Sequence, residues 1–363
     1  MQVMYFPYLH MQTVGEVNFQ PLGLKIWNFG EKVDDYITDL SIKETLTKLM
    51  KSNIAHNLPI SDMGIVTIGN SDFRPFTKAE LLKCNEARLL LFIGATSRFS
   101  VQDRSHNKGH FVYTSDNFIL QIQNFNLGGN TIAVQTGIIV PKLIGGYGVD
   151  EIKFEMPLFT PTPMRWSQDT LLINALLKLR SSNKKMYRRL LRAIELVMQA
   201  SYNNETTSMN ARILLLASAF EILFDITDNK HREHFKSAIR TYLVQPADRK
   251  LRFTSWRNST RFVWETDSIK VMWADKFYYL RNKIVHGETI SNHDLLFLNR
   301  QNHYDIAILF FVLGLKKVLN TESGEPPARD YIEWTKNNSD DPAEFFEGFC
   351  YRELDDIMAL IKN

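Results

Sequence analysis

A chain of 363 residues, 44% hydrophobic and 23% charged, has an ordinary globular composition and is long enough for two domains. No apolar run approaches the roughly 18–20 residues of a membrane span, the N-terminus lacks a basic region and a secretion-like cleavage site, and Cys84 and Cys350 form no disulfide framework or four-ligand zinc site. A cytoplasmic, membrane-free setting with no cofactor is therefore expected, and the net charge of +3 excludes a strongly polyionic chain.

In chain order, residues 1–165 read as a β-containing domain. Met63-Gly64-Ile65-Val66-Thr67-Ile68-Gly69 is a β-branched run closed by glycine. Phe111–Thr114, 118–122 and 131–135 are strand-like, with turns at Ser115-Asp116-Asn117 and at 126–130. Helices are expected over 34–51 and 77–87, the second opened by Thr77 with Glu80 at the capping-box position. Gly145-Gly146-Tyr147-Gly148 reads as a loop and lacks the spacing and lysine of a phosphate-binding loop. Pro157, Pro161 and Pro163 mark a linker.

Beyond the linker the pattern becomes helical. Helices are expected over 167–180, 184–202, 207–226, 230–243, 268–286 and 292–319, forming a second domain over 166–320. The stretch 213–224 is apolar almost all round and predicts a central buried helix. Residues 321–363 form an acidic tail, eleven acids against four bases, with small helices at 331–336 and 344–361. The fold class expected is α+β: a β-rich N-terminal domain, an all-α bundle and a short helical tail.

Charge is unevenly spread. Residues 178–192 carry seven bases and no acid, and 230–261 carry nine Lys/Arg against Glu233 and Asp248. A basic middle suits a polyanionic partner, although a charge run alone is more often a solvated helix face.

The chemistry concentrates at Tyr279-Leu280-Arg281-Asn282-Lys283-Ile284-Val285-His286-Gly287. Trp273, Phe277, Leu280 and Ile284 form a core-facing stripe, and Gly287 is a C-cap signal that places His286 in the last turn or just beyond it. Arg281 and His286 are about 140° apart on an ideal helix, whereas Asn282 and His286 are an i, i+4 pair. An imidazole that moves protons and a guanidinium that holds a phosphate are the two side chains needed to cut RNA without a metal. Spacing alone also fits a helix-dipole and packing pair, the commoner role of a lone histidine. Weaker signals are His231 and His234 with Asp228 nearby, which lack a convincing third metal ligand, His106 and His110 in a polar stretch, and Cys84 in a helix.

The Arg281-to-His286 run resembles the R-x4–6-H motif of HEPN-domain ribonucleases, including the polar residue after Arg. The fuller run to Glu288, with Leu216-Ala217-Ser218-Ala219-Phe220-Glu221-Ile222-Leu223-Phe224 upstream, resembles the ApeA-like branch. The resemblance covers about 167–320. It implies a helical bundle that dimerises to join two motifs in one cleft, and a metal-independent endoribonuclease of phage defence or toxin systems that leaves 2′,3′-cyclic phosphate and 5′-hydroxyl ends. His286 would be the general acid or base, Arg281 would stabilise phosphoryl charge, and Asn282 would orient His286 or the phosphate. Glu221 would support Arg281 or His286, or be a buried ion pair with Arg212 or Arg281. Lys184, Lys185, Arg188, Arg189 and Arg192 would meet the RNA backbone, and Tyr278, Tyr279 and Trp273 are candidates for base stacking, Trp273 being more readily a core residue. The N-terminal domain would sense or position, binding a trigger or inhibitor. The alternative is a catalytically silent HEPN-like module that binds RNA or nucleotides, or an interaction protein.

Overall fold

The computed structural model describes residues 2–9, 15–55, 57–69, 73–102, 115–125, 131–136, 142–148, 153–155, 168–202, 207–244, 251–257, 260–266, 268–297 and 301–322. The expected strand at 111–114, the turn at 126–130, the proline linker, His106, His110 and the helices of the acidic tail lie outside them. The described chain is α+β, and no described helix is long and apolar enough to cross a membrane. It divides into two compact units, one of Met1–Ala95, Tyr113–Ile173 and Ser201–Thr207, the other of Thr96–Val112, Asn174–Ala200 and Ser208–Asn363.

The first unit runs β1 (Gln2–Phe6), β2 (Glu16–Phe19), β3 (Leu24–Asn28), α1 (Phe29–Tyr36), α2 (Leu40–Ser52), β4 (Asn53–Ala55), β5 (Leu58–Pro59), β6 (Gly64–Ile68), α3 (Lys78–Gln102) as far as Ala95, β7 (Gln121–Phe125), β8 (Thr131–Thr136), β9 (Lys142–Gly148) and β10 (Phe154–Glu155). Seven strands form one antiparallel sheet in the order β2-β3-β6-β1-β7-β8-β9. Central β1 was not legible as a strand. Val3, Met4, Tyr5 and Phe6 are all buried, so the polar–apolar alternation of a half-exposed strand is missing. Tyr5, Tyr8, Trp27, Leu46 and Leu49 pack in its core.

Three expectations are corrected here. The helix expected over 34–51 is two helices, because Asp39 caps a fresh start by accepting from the Ser41 and Ile42 N–H groups at 2.8 and 3.3 Å. The strand expected at 118–122 begins only at Gln121, after a 3-10 turn over Ser115–Phe118. Gly145-Gly146-Tyr147 is not a loop but pairs within β9 against Val134, Ala133 and Ile132, beside a register shift at Val134/Gln135. The capping box at Thr77 is present. The Glu80 carboxylate accepts the Thr77 N–H at 2.8 Å, the Glu80 N–H donates to the Thr77 hydroxyl at 3.3 Å, and Arg74 holds the Glu80 carboxyl down to about 2.

The second unit takes up α4 (Thr170–Ser182) from Asn174, then α5 (Lys184–Ala200), α6 (Met209–Leu223), α7 (His231–Leu243), the hairpin β11 (Leu251–Arg257) and β12 (Thr260–Thr266), α8 (Ile269–Val285), the short hairpin β13 (Leu296–Phe297) and β14 (Gln301–Asn302), and α9 (His303–Glu322). Helix α6 is the central one, packed on by α5, α7, α8 and α9. Phe220 lies 5–6 Å from Phe224, Phe235, Trp273, Phe277 and Phe311, ring centre to ring centre.

The all-helical reading of 166–320 is corrected by the two hairpins. Leu251–Arg257 and Thr260–Thr266 are rich in Thr, Phe, Val and Trp, residues that favour strands, and Asn258-Ser259 separates them in the sequence. The last long helix starts at His303 rather than 292, because Asp294 is engaged elsewhere. It accepts from the Ser291 N–H at 2.9 Å and from Lys283 Nζ at 2.8 Å, and these contacts hold its carboxyl well below the usual range.

Candidate active site

Helix α8 positions the motif. Ser268 caps its start by accepting from the Val271 N–H, and Trp273, Phe277 and Leu280 bury one side. Its other end is a Schellman turn: the Gly287 N–H donates to Ile284 O at 3.1 Å and the Glu288 N–H to Lys283 O at 3.0 Å. Gly287 has φ +72°, a conformation that a β-carbon disfavours. His286 is thereby the cap residue. Its N–H still donates to the Asn282 carbonyl at 3.0 Å, its side chain is exposed, and among the described residues its imidazole has no hydrogen-bond partner.

One turn before His286, Arg281 is held by its neighbours. Its Nη1 donates to Asn282 Oδ1 at 3.2 Å, its Nη2 lies 3.5 Å from Glu221 Oε1, and its guanidinium carbon is 5.3 Å from the centre of the Tyr278 ring. A guanidinium has five N–H donors, so two such contacts leave most of the set for an incoming anion. Asn282 thus touches both sides of the motif, through its side chain to Arg281 and through its carbonyl to the His286 backbone.

Glu221 comes from α6, where it is the one carboxylate in an otherwise mostly apolar turn. Its Oε1 accepts a hydrogen bond from the Tyr278 hydroxyl and lies 3.5 Å from both Arg281 Nη2 and His231 Nδ1. Burial, and then the adjacent Glu221 carboxylate, push the Tyr278 hydroxyl far above its ordinary range, so it stays a proton donor. The structure therefore pairs Glu221 with Arg281 and not with Arg212, which lies 5.8 Å from the Tyr304 ring centre.

The aromatic candidates part company. Trp273 and Tyr278 are buried, whereas Tyr279 is 49% exposed with the Arg232 guanidinium 5.7 Å from its ring centre. Burial removes Trp273 and Tyr278 as stacking surfaces. The five basic candidates all lie on α5. Lys184, Lys185 and Arg188 are exposed and have no partner among the described residues. Arg189 pairs with Asp225 and Arg192 with Glu195, each at 2.6 Å, so those two charges are partly neutralised within the chain.

The His231–His234 pair is pulled apart. His234 Nε2 meets Asp228 at 2.9 Å while His231 faces Glu221. Among the described residues no three His, Cys, Asp or Glu side chains converge as a metal-ligand set. What sequence reasoning missed is the tertiary part of the cluster. Tyr278 was weighed only as a stacking ring and His231 only as a metal ligand. The signal that was present is the lone Glu221 in an apolar helix, a charge among apolar neighbours that demands partners. Compared with protein-family models, with curated proteins and with solved structures, the chain has no significant match.

Proposed function

We propose that this protein is a metal-independent endoribonuclease of HEPN type that acts as a homodimer on RNA, in phage defence or as a toxin. The observation that carries the proposal is the end of α8. Among the described residues, a fixed guanidinium with most of its donors uncommitted precedes an exposed imidazole without a hydrogen-bond partner by little more than one turn. Those are the groups that 2′-hydroxyl attack on an adjacent phosphate requires. His286 moves a proton, Arg281 neutralises charge gathering on the phosphoryl oxygens, and Asn282 and Glu221 fix the guanidinium. Lys184, Lys185 and Arg188 supply exposed positive charge for a nucleic-acid backbone.

The test is cleavage of total RNA in EDTA by the wild type, His286→Ala and Arg281→Ala. Expected are cyclic-phosphate ends from the wild type and a loss of about 10²–10⁴-fold on removing the acid–base group. Because the His286 side chain is exposed, His286→Ala should melt with the wild type. RNA binding without any cutting would instead favour a catalytically silent binding module.

A further inference from the structure

Two histidines sit three residues apart at the start of α7, and their surroundings differ. His234 is spent on Asp228 at 2.9 Å. His231 Nδ1 is buried yet makes no hydrogen bond among the described residues. Glu221 Oε1 stands 3.5 Å from it, within ion-pair range but beyond a well-formed bond. Leaving a buried ring nitrogen without a bond is costly, so the placement asks for a reason.

The side chain as a whole is 34% exposed, so with Nδ1 turned inward towards the carboxylate, the accessible surface belongs to the rest of the ring. Arg281 Nη2 lies the same 3.5 Å from the same Glu221 oxygen, so the imidazole and the guanidinium flank one carboxylate. A carboxylate behind one ring nitrogen, with the rest of the ring outward beside a phosphate-holding cation, is the arrangement of an oriented acid–base imidazole.

Resting on the ribonuclease reading, we propose that His231 is a second acid–base residue of the site, oriented by Glu221, and that it protonates the departing 5′-oxygen. The balance is simple. The 2′-hydroxyl gives its proton to neutral His286 as its oxygen bonds to phosphorus. The bond from phosphorus to the 5′-oxygen breaks, and that oxygen takes the proton from the His231 imidazolium. The products are the 2′,3′-cyclic phosphate and the 5′-hydroxyl, and the two imidazoles regain their starting protonation from water.

The experiment compares wild type, His231→Ala and His234→Ala on a ribonucleotide substrate and on the same substrate with sulfur in place of the bridging 5′-oxygen. A thiolate leaves without a proton. Expected is a loss of about 10²–10⁴-fold for His231→Ala on the oxygen substrate. The sulfur substrate should restore most of that loss, and His234→Ala should match the wild type on both. If His231→Ala does not fold, His231→Gln takes the same test. Undiminished cleavage by His231→Ala while His286→Ala is inactive would overturn this inference and leave the ribonuclease reading standing. A loss that sulfur does not restore would make His231 structural and also overturn it. A wild type that cuts neither substrate overturns both.

Discussion

Asp275 and Glu221, two carboxylates where α6, α7 and α8 of the helical unit pack, face cations differently. Asp275 on α8 is clamped. Arg232 donates to it through Nε at 2.9 Å and Nη2 at 2.7 Å, and Lys236 adds a contact at 3.2 Å. Burial works to raise the Asp275 carboxyl, but these bonds and charges outweigh it and the group is held below its ordinary value. Glu221 on α6 has its close bond from the neutral Tyr278 hydroxyl, while Arg281 and His231 stand back at 3.5 Å. The consecutive residues His231 and Arg232 on α7 thus serve opposite arrangements. In one the cation is consumed by its partner; in the other it is positioned and left with donors to spare. Tight geometry marks a structural pair, and loose geometry around a partly buried carboxylate marks groups available to a ligand.

The largest effect should come from exchanging the roles in that comparison. Arg281→Ala should reduce RNA cleavage by about 10²–10³-fold, the usual cost of removing one group that stabilises transition-state charge. Its melting temperature should stay close to that of the wild type. Arg232→Ala should do the reverse, lowering stability while leaving the cleavage chemistry intact. Measuring cleavage and thermal unfolding on both variants decides the matter. Equal destabilisation by the two, with RNA cleavage unaffected by Arg281→Ala, would reduce Glu221–Arg281 to another structural pair.

A smaller effect is expected one residue past the motif. Gly287→Ala meets no steric neighbour within 4 Å, so any cost comes from its φ of +72° alone. That cost should be about 1 kcal/mol. Because the Schellman bonds at Gly287 and Glu288 set where the chain leaves the helix, cleavage should fall along with stability. Loss of stability without loss of activity would show that the His286 position does not depend on this turn.

The end of α8 was legible in the sequence because everything that builds it is local. Trp273, Phe277 and Leu280 repeat at helical spacing, and one glycine stops the helix. The cluster around Glu221 was only half legible, since bringing Glu221, His231 and Tyr278 together requires α6, α7 and α8 to pack, and no spacing within a single segment encodes that. The same limit hid β1. From Val3 to Phe6 its side chains are buried by elements distant in the chain, and the pattern that announces a strand depends on one face meeting water. The β11–β12 hairpin failed differently. Its signature was local and present, in the Thr, Phe, Val and Trp of two runs parted by Asn-Ser, but the helical run on either side drew the reading.

The smallest expected effect sharpens the contrast through pH. The folded Asp275 carboxyl lies below its unfolded value, so its pair with Arg232 stabilises the fold at and above the ordinary carboxylate range. That stability is lost as the pH falls through the depressed value, where the folded protein finally takes up the proton. The two side chains retain 40% and 30% exposure, which screens the pair and limits its contribution to about 1 kcal/mol. Urea unfolding from neutral to acidic pH should therefore give a wild-type curve that drops more steeply in acid than that of Arg232→Ala, the two converging once Asp275 is protonated in both. An offset between the curves that stayed constant through the acid range would mean that Arg232 stabilises through packing on Tyr279, 5.7 Å from its ring centre, rather than through the charge of Asp275.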